Sequence, residues 1–228
     1  MSRILIVQTG SVETAISDHH GDYDTWFLDA LPDGHQRCTV CRPFAGQALP
    51  SSTALADFDG VLLTGSRLSV RDEQPWMAPL GRWALQVAQT LPVLGVCFGH
   101  QLIGEALGGR VEKNPSGREA GTITVTLTDA GRQDPLFEGL PWDLVVQSSH
   151  NDILLVPPPG AVRLAGNRST TWQAFSVGER LRCVQFHPEL RPATSRDVFA
   201  LRGWSAPVQE SEHGRQILER WDRVWVRG

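Results

Sequence analysis

Short apolar, β-branched runs alternate along the chain with stretches whose apolar residues recur every three or four positions. That alternation predicts an α/β domain on a largely parallel sheet covered on both sides. Ile4 to Thr9 is the first such run. Asp22 then precedes Tyr23, Trp26, Phe27, Ala30 and Leu31, spaced as one face of a short helix that ends near Pro32-Asp33-Gly34. Arg37 to Arg42 alternates as a strand, and Gly60-Val61-Leu62-Leu63-Thr64 reads as a buried strand running into Gly65-Ser66. After Pro75 the positions Trp76, Leu80, Trp83, Ala84, Val87 and Leu91 form a helical apolar face that Pro92 stops. Val93 to Val96 is then a short central strand. Cys97 to Leu107 is a helix ended by Gly108-Gly109.

From Arg110 to Phe186 the pattern changes to strand-like runs separated by turns, such as Thr122 to Leu127 and Leu181 to Phe186, and antiparallel pairs are expected there. Pro157-Pro158-Pro159-Gly160 is a turn between strands, too short to separate domains. The tail from about Pro207 to Val226 reads as a helix with Ile217, Leu218, Trp221, Val224 and Trp225 on one face. No repeat, low-complexity tract or linker interrupts the 228 residues, a length that allows one large domain or two small ones; because Cys97 and His187 must meet in one α/β unit that uses most of the chain, a single domain is expected.

Composition narrows the class. The 41% apolar and 20% charged residues are those of a globular chain, and a net charge of −4 encodes no general attraction to nucleic acid or anionic membrane. Of the 21 basic residues only Lys113 is a lysine, and the arginines are scattered rather than blocked. Cys38, Cys41, Cys97 and Cys183 do not make the disulfide framework of a small secreted protein, so a reducing compartment is expected. The opening run Ile4-Leu5-Ile6-Val7 is too short for a signal-peptide core or a membrane span, and the expected location is cytoplasmic.

Two segments carry chemistry. Gly95-Val96-Cys97-Phe98-Gly99-His100-Gln101 sits where a buried strand turns into a helix, a tight elbow that exposes a nucleophile and needs glycines to relieve crowding. Helix N-terminal N–H groups and a nearby histidine favour a thiolate there. Phe186-His187-Pro188-Glu189 follows the last β-run and can present imidazole to a thiol while the carboxylate orients the other ring nitrogen.

The elbow, the His187-Pro188-Glu189 segment and their order together resemble the class I (triad) glutamine amidotransferases. Thr64-Gly65-Ser66 resembles that family's oxyanion loop, Gly117-Arg118-Glu119-Ala120-Gly121 its G-x-E-x-G turn, and Ser149-His150-Asn151-Asp152 its S-H-x-D segment. With Gly21-Asp22-Tyr23 the likeness extends to about residue 190, and it is nearest to stand-alone proteins similar to the amidotransferase domain of GMP synthase. It implies a flavodoxin-like three-layer sandwich, with a mostly parallel central sheet and a β-rich antiparallel insertion in the second half. It further implies Cys97 as nucleophile, His187 as acid and base, and Glu189 as its orienter. The backbone N–H groups of Phe98 and Ser66 are the implied oxyanion donors, with Gly65 allowing the loop's approach, and Gln101, Ser149 and His150 the implied substrate contacts. Ser66 and Phe98 stand where many members carry glycine and tyrosine, and neither change removes a backbone donor.

The expected reaction is hydrolysis of the side-chain amide of L-glutamine, or of a γ-glutamyl compound, with no metal or organic cofactor. Too few residues follow Glu189 for a synthase module, so two enzyme readings compete: a glutaminase serving a separate synthase subunit, and a self-contained γ-glutamyl peptidase using water. A non-catalytic binding module on the same fold is a third reading, and a homodimer is compatible with the sequence. Cys38-x-x-Cys41 has metal-ligand spacing but lies in an alternating strand without a second ligand pair. His19-His20 is expected in a solvated loop, His100 on a partly exposed helix position near the site, and Trp76, Trp83, Trp221 and Trp225 in core or interface.

Overall fold

In the computed structural model, which describes residues 2–228, the apolar runs become the parallel half of a nine-stranded sheet. The strands are β1 (Ile4–Val7), β2 (Cys38–Cys41), β3 (Gly60–Leu63), β4 (Val93–Val96), β5 (Arg110–Lys113), β6 (Glu119–Leu127), β7 (Asp143–His150), β8 (Asp152–Val156), β9 (Val162–Gly166), β10 (Ala174–Val177) and β11 (Leu181–Val184). The sheet order is β2-β1-β3-β4-β11-β10-β9-β6-β7, with β5 and β8 paired separately. The first five strands are mutually parallel and the rest join antiparallel. The expected antiparallel insertion therefore extends the central sheet, apart from the β5–β8 ribbon. The parallel half has the 2-1-3-4 order of a flavodoxin-like fold.

The parallel strands are apolar throughout because both faces are covered. Ile4 and Ile6 of β1, Leu62 of β3 and Leu94 and Val96 of β4 pack into one core; Leu5, Val7, Val61, Leu63 and Val93 point into the other. The helices are α1 (Thr14–His20), α2 (Tyr23–Ala30), α3 (Gly34–Arg37), α4 (Ser52–Leu55), α5 (Met77–Val87), α6 (Phe98–Ala106), α7 (Asp129–Gln133), α8 (Pro192–Leu201) and α9 (His213–Trp221). Asp22 caps α2 by accepting the Tyr23 N–H. A third, smaller apolar cluster joins Val12, Ile16, Tyr23, Trp26, Val198 and Phe199, so that α1 and α8 lean on α2. Among the described residues no helix is long and apolar enough to cross a membrane.

Three expectations need correction. His19 and His20 are not in a loop: they form the last turn of α1, and His20 Nε2 meets Asp197 Oδ2 of α8 at 2.6 Å. The C-terminal helix begins at His213 rather than Pro207. Residues 207–212 instead run as a strap: Pro207 O accepts from Thr122 N (2.7 Å), and the Ser211 hydroxyl donates to Val145 O (2.6 Å). Proline at 207 and these backbone bonds favour an extended path over helix. His100 is fully buried, because α6 lays it edge-on against Phe175 of β10 with ring centroids 4.9 Å apart. Cys38 and Cys41 lie in β2 as expected, Cys38 packing toward one core and Cys41 toward the other, and both are free thiols.

Candidate active site

The site forms where β4 and β11 end side by side. Their parallel register pairs Val96 with Val184, so Cys97 and Gln185 emerge at adjacent positions and the Cys97 N–H donates to Val184 O at 2.8 Å. Cys97 has φ 50° and ψ −97°, a conformation that costs a non-glycine residue about 1–3 kcal/mol and persists only where its surroundings enforce it. Gly99 is part of that enforcement. A Cβ there would lie 2.7 Å from Leu63 O, so only glycine lets the first turn of α6 seat against β3.

His187 is anchored by its own backbone, whose N–H donates to Gln147 O of β7 at 2.8 Å, and its Nδ1 meets Glu189 Oε1 at 2.7 Å. Both side chains are buried. Burial alone would lower the His187 pKa; the charge of Glu189, the charge of Cys97 and hydrogen bonds to both outweigh it and raise the imidazole to about 10. The site thus favours a protonated His187.

The loop after β3 is fixed by hydroxyl groups. The Thr9 hydroxyl donates to Thr64 O and Gly65 O (3.0 and 2.9 Å), and Thr64 Oγ1 also donates to Gly65 O (2.9 Å). Because the peptide unit is planar and trans, pinning the Gly65 carbonyl turns the Ser66 N–H to the other side of that plane. Among the described residues neither the Ser66 N–H nor the Phe98 N–H has a hydrogen-bond acceptor. Gly65 itself passes close to the histidine: a Cβ there would sit 2.8 Å from His187 Cε1. Gly65→Ala is therefore expected to displace the imidazole and lower turnover roughly 10²-fold while the melting temperature stays within about 3 °C, checked by steady-state kinetics beside thermal melts.

Cys97, His187, Ser66, Phe98, Gln101, Ser149 and His150 all line one cleft of ≈ 350 Å³. The side chains of the last three are largely engaged within the protein. Gln101 Nε2 donates to Asp152 O (2.8 Å) and Gln185 Oε1 (3.1 Å), and Ser149 Oγ accepts from Arg202 Nη1 (3.3 Å). His150 has Glu119 Oε2 on Nε2 (2.9 Å) and Asp152 O on Nδ1 (3.1 Å). Glu119, the acid of the G-x-E-x-G turn, also receives Asn167, Thr170 and Gln173. Burial would raise its carboxyl, but the hydrogen bond and charge of His150 outweigh burial and hold it below the ordinary carboxylate range. His100 lies outside this network: its ring nitrogens have no partner among the described residues, and burial, with the charge of His150, pushes its pKa down to about 3.

Several residues at or behind the cleft escape the sequence reading. Arg202, just past α8, makes a two-pronged ion pair with Glu13 (2.9 and 3.0 Å) beside Tyr23, and Trp204 closes that wall. Gln185 is the most informative omission, since a glutamine inside the apolar run Val184-Gln185-Phe186 is a readable anomaly.

The family model for glutamine amidotransferase class-I matches residues 16–203. Gamma-glutamyl peptidase 3 of Arabidopsis thaliana is 28% identical over 178 residues, 75% of this chain and 70% of that relative. The glutamine-hydrolysing GMP synthase of Aeropyrum pernix is 33% identical over 177 residues, 77% of this chain but only 28% of the synthase, so the chain spans less than a third of that relative's length. The crystal structure of a glutamine amidotransferase from Methylobacillus flagellatus superposes with a TM-score of 0.74 at 22% identity, over 98% of this chain and 95% of the other. That last likeness is one of fold.

Proposed function

The chain belongs to the class-I glutamine amidotransferase family, and from that premise we propose that it hydrolyses the γ-amide bond of glutamine or of a γ-glutamyl compound through a cysteine thioester, with water as the final acceptor. The observation that carries this reading is the buried His187–Glu189 pair at 2.7 Å, with the imidazole held protonated by Glu189 and Cys97. No second chain is needed to bring these groups together.

In the proposed cycle the Cys97 thiolate attacks the amide carbon, and the oxygen takes up the negative charge. The N–H groups of Ser66 and Phe98 meet that charge at the N-terminus of α6; a preorganised donor of this kind is worth roughly 3 kcal/mol in acyl transfer. His187 passes its proton to the departing nitrogen as the C–N bond breaks, leaving a γ-glutamyl thioester. Acylation removes the thiolate charge that helped to hold the proton, so the ring is left neutral and able to take a proton from water. Water then attacks the thioester, the C–S electron pair returns to sulfur, and glutamate leaves. Glu189 fixes the His187 tautomer throughout. Of the expected substrate contacts, Gln101, Ser149 and His150 line the cleft with side chains largely engaged within the protein, and they act mainly by shaping its wall.

A second reading, a glutaminase that hands ammonia to a separate synthase, is favoured by the 33% identity to a GMP synthase. Glutamate and ammonia release from glutamine and from a panel of γ-glutamyl amides and peptides distinguishes the two. The purified chain is expected to turn over at least one γ-glutamyl substrate alone. Turnover of glutamine only when a synthase is added would favour the second reading, and background rates throughout, in the presence of a synthase as well, would contradict both.

A further inference from the structure

The cycle above gives the Cys97 thiolate one stabilising partner, His187. The structure holds another polar group at the same sulfur. Gln185, the first residue past β11, is fully buried, and its Nε2 lies 3.6 Å from Cys97 Sγ. A glutamine amide can in principle be turned either way, so which atom faces the sulfur has to follow from its other contacts.

Those contacts settle it from a fixed point. The Asp152 carbonyl oxygen can only accept, so the Gln101 atom 2.8 Å from it is the amide nitrogen. The same nitrogen lies 3.1 Å from the Gln185 amide, and its remaining N–H needs an acceptor there, which is Gln185 Oε1. Reversing Gln185 would set two NH₂ groups against each other and turn the N–H away from the Cys97 sulfur. The Gln185 amide is thus locked with its N–H toward Cys97. The fixed point is itself buttressed: His150 Nδ1 also reaches Asp152 O (3.1 Å), and His150 is tied through Nε2 to Glu119. Glu119, His150, Asp152, Gln101 and Gln185 form one hydrogen-bonded series ending on the nucleophile.

Building on the reading of Cys97 as nucleophile, we infer that Gln185 is a further catalytic residue, an amide N–H donor to the Cys97 thiolate, with Gln101 as the positioning residue that fixes its orientation. The donor acts at the two points where sulfur carries charge. It stabilises the thiolate before attack, and it meets the electron pair returning to sulfur when water displaces it from the thioester. Thioester sulfur is a weak acceptor, so the interaction favours the charged state over the acyl intermediate.

The test compares Gln185→Met, which keeps length and removes the donor, with Gln185→Glu, which keeps shape and replaces the donor with an acceptor. The readouts are the alkylation rate of Cys97 by neutral iodoacetamide at pH 7, followed by intact mass, the separate values of kcat and KM, and the melting temperature. A hydrogen bond to a charged group corresponds to roughly a tenfold rate change. Gln185→Met is expected to slow alkylation and kcat about tenfold with KM within about twofold, and Gln185→Glu to be slower again. A folded Gln185→Met with both rates within about twofold of wild type, or a Gln185→Glu that alkylates as fast as Gln185→Met, would overturn the assignment. Alkylation needs no substrate. Failure of the wild-type chain to turn over any γ-glutamyl compound would therefore count against the hydrolase reading and leave Gln185 to be judged on alkylation alone.

Discussion

Cys97→Ser is expected to leave a folded chain whose release of glutamate and ammonia falls about 10⁴-fold or more, to the background of the assay. The substitution removes no packing volume of consequence at this buried position, so thermal melting should match wild type. What it removes is the thiolate nucleophile of the proposed cycle. A serine hydroxyl is far harder to ionise than a thiol, and the protonated His187 that accompanies a thiolate would have to become a base before attack could begin. Product release and melting curves on the same preparation check both halves. Residual turnover within tenfold of wild type would mean that another group performs the attack.

The second large effect concerns the fold. Asp222, the first residue of the short π-helical segment that continues α9 (Asp222–Val226), is buried and receives both Arg37 Nη1 (3.0 Å) and Arg37 Nη2 (2.8 Å), and Arg227 Nε approaches the same carboxylate at 2.7 Å. Arg37, at the end of α3, also donates to Ser2 O and Pro32 O, so this one guanidinium ties the two ends of the chain together. Asp222→Ala leaves a buried guanidinium without its counter-charge, a change that costs about 3–5 kcal/mol. For a chain of this length that is a fall in melting temperature of roughly 6–20 °C. Urea and thermal melts measure it. Replacing both partners with apolar residues, Arg37→Met with Asp222→Leu, should lose less than the two single changes added, because no charge is left stranded.

What could be read from the sequence was whatever depends on local order. Ile4–Val7 and Val93–Val96 announce themselves because strands covered on both faces are apolar at every position. The elbow is legible because a tight strand-to-helix turn needs small residues at fixed offsets, and the structure puts Gly99 against the Leu63 carbonyl with no space for a side chain. α1 escaped because Ile16 is its only buried residue, too little for a periodic pattern. α8 escaped because two of its four buried residues are Thr194 and Ser195.

The rest of the site is non-local. Glu13 and Arg202 meet across 189 residues, and no spacing rule links them. Gln185 stands two positions before His187, yet its direction depends on an amide lock that runs through Gln101 to a backbone carbonyl on β8. His100 shows the reverse case. A histidine at that point of a helix reads as a polar position, whereas the packing against Phe175 makes it a buried neutral ring.

The claim on which everything else rests is that Cys97 attacks the side-chain amide carbon of a γ-glutamyl group, and covalent capture tests it most directly. The purified chain is incubated with an electrophilic glutamine analogue bearing a reactive group at the γ-position, and adducts are located by intact mass and peptide mapping. The account predicts one adduct per chain, on Cys97, slowed by added γ-glutamyl substrate and missing in Cys97→Ser. Labelling on Cys38, Cys41 or Cys183 instead, or an adduct on Cys97 that substrate does not protect, would contradict it.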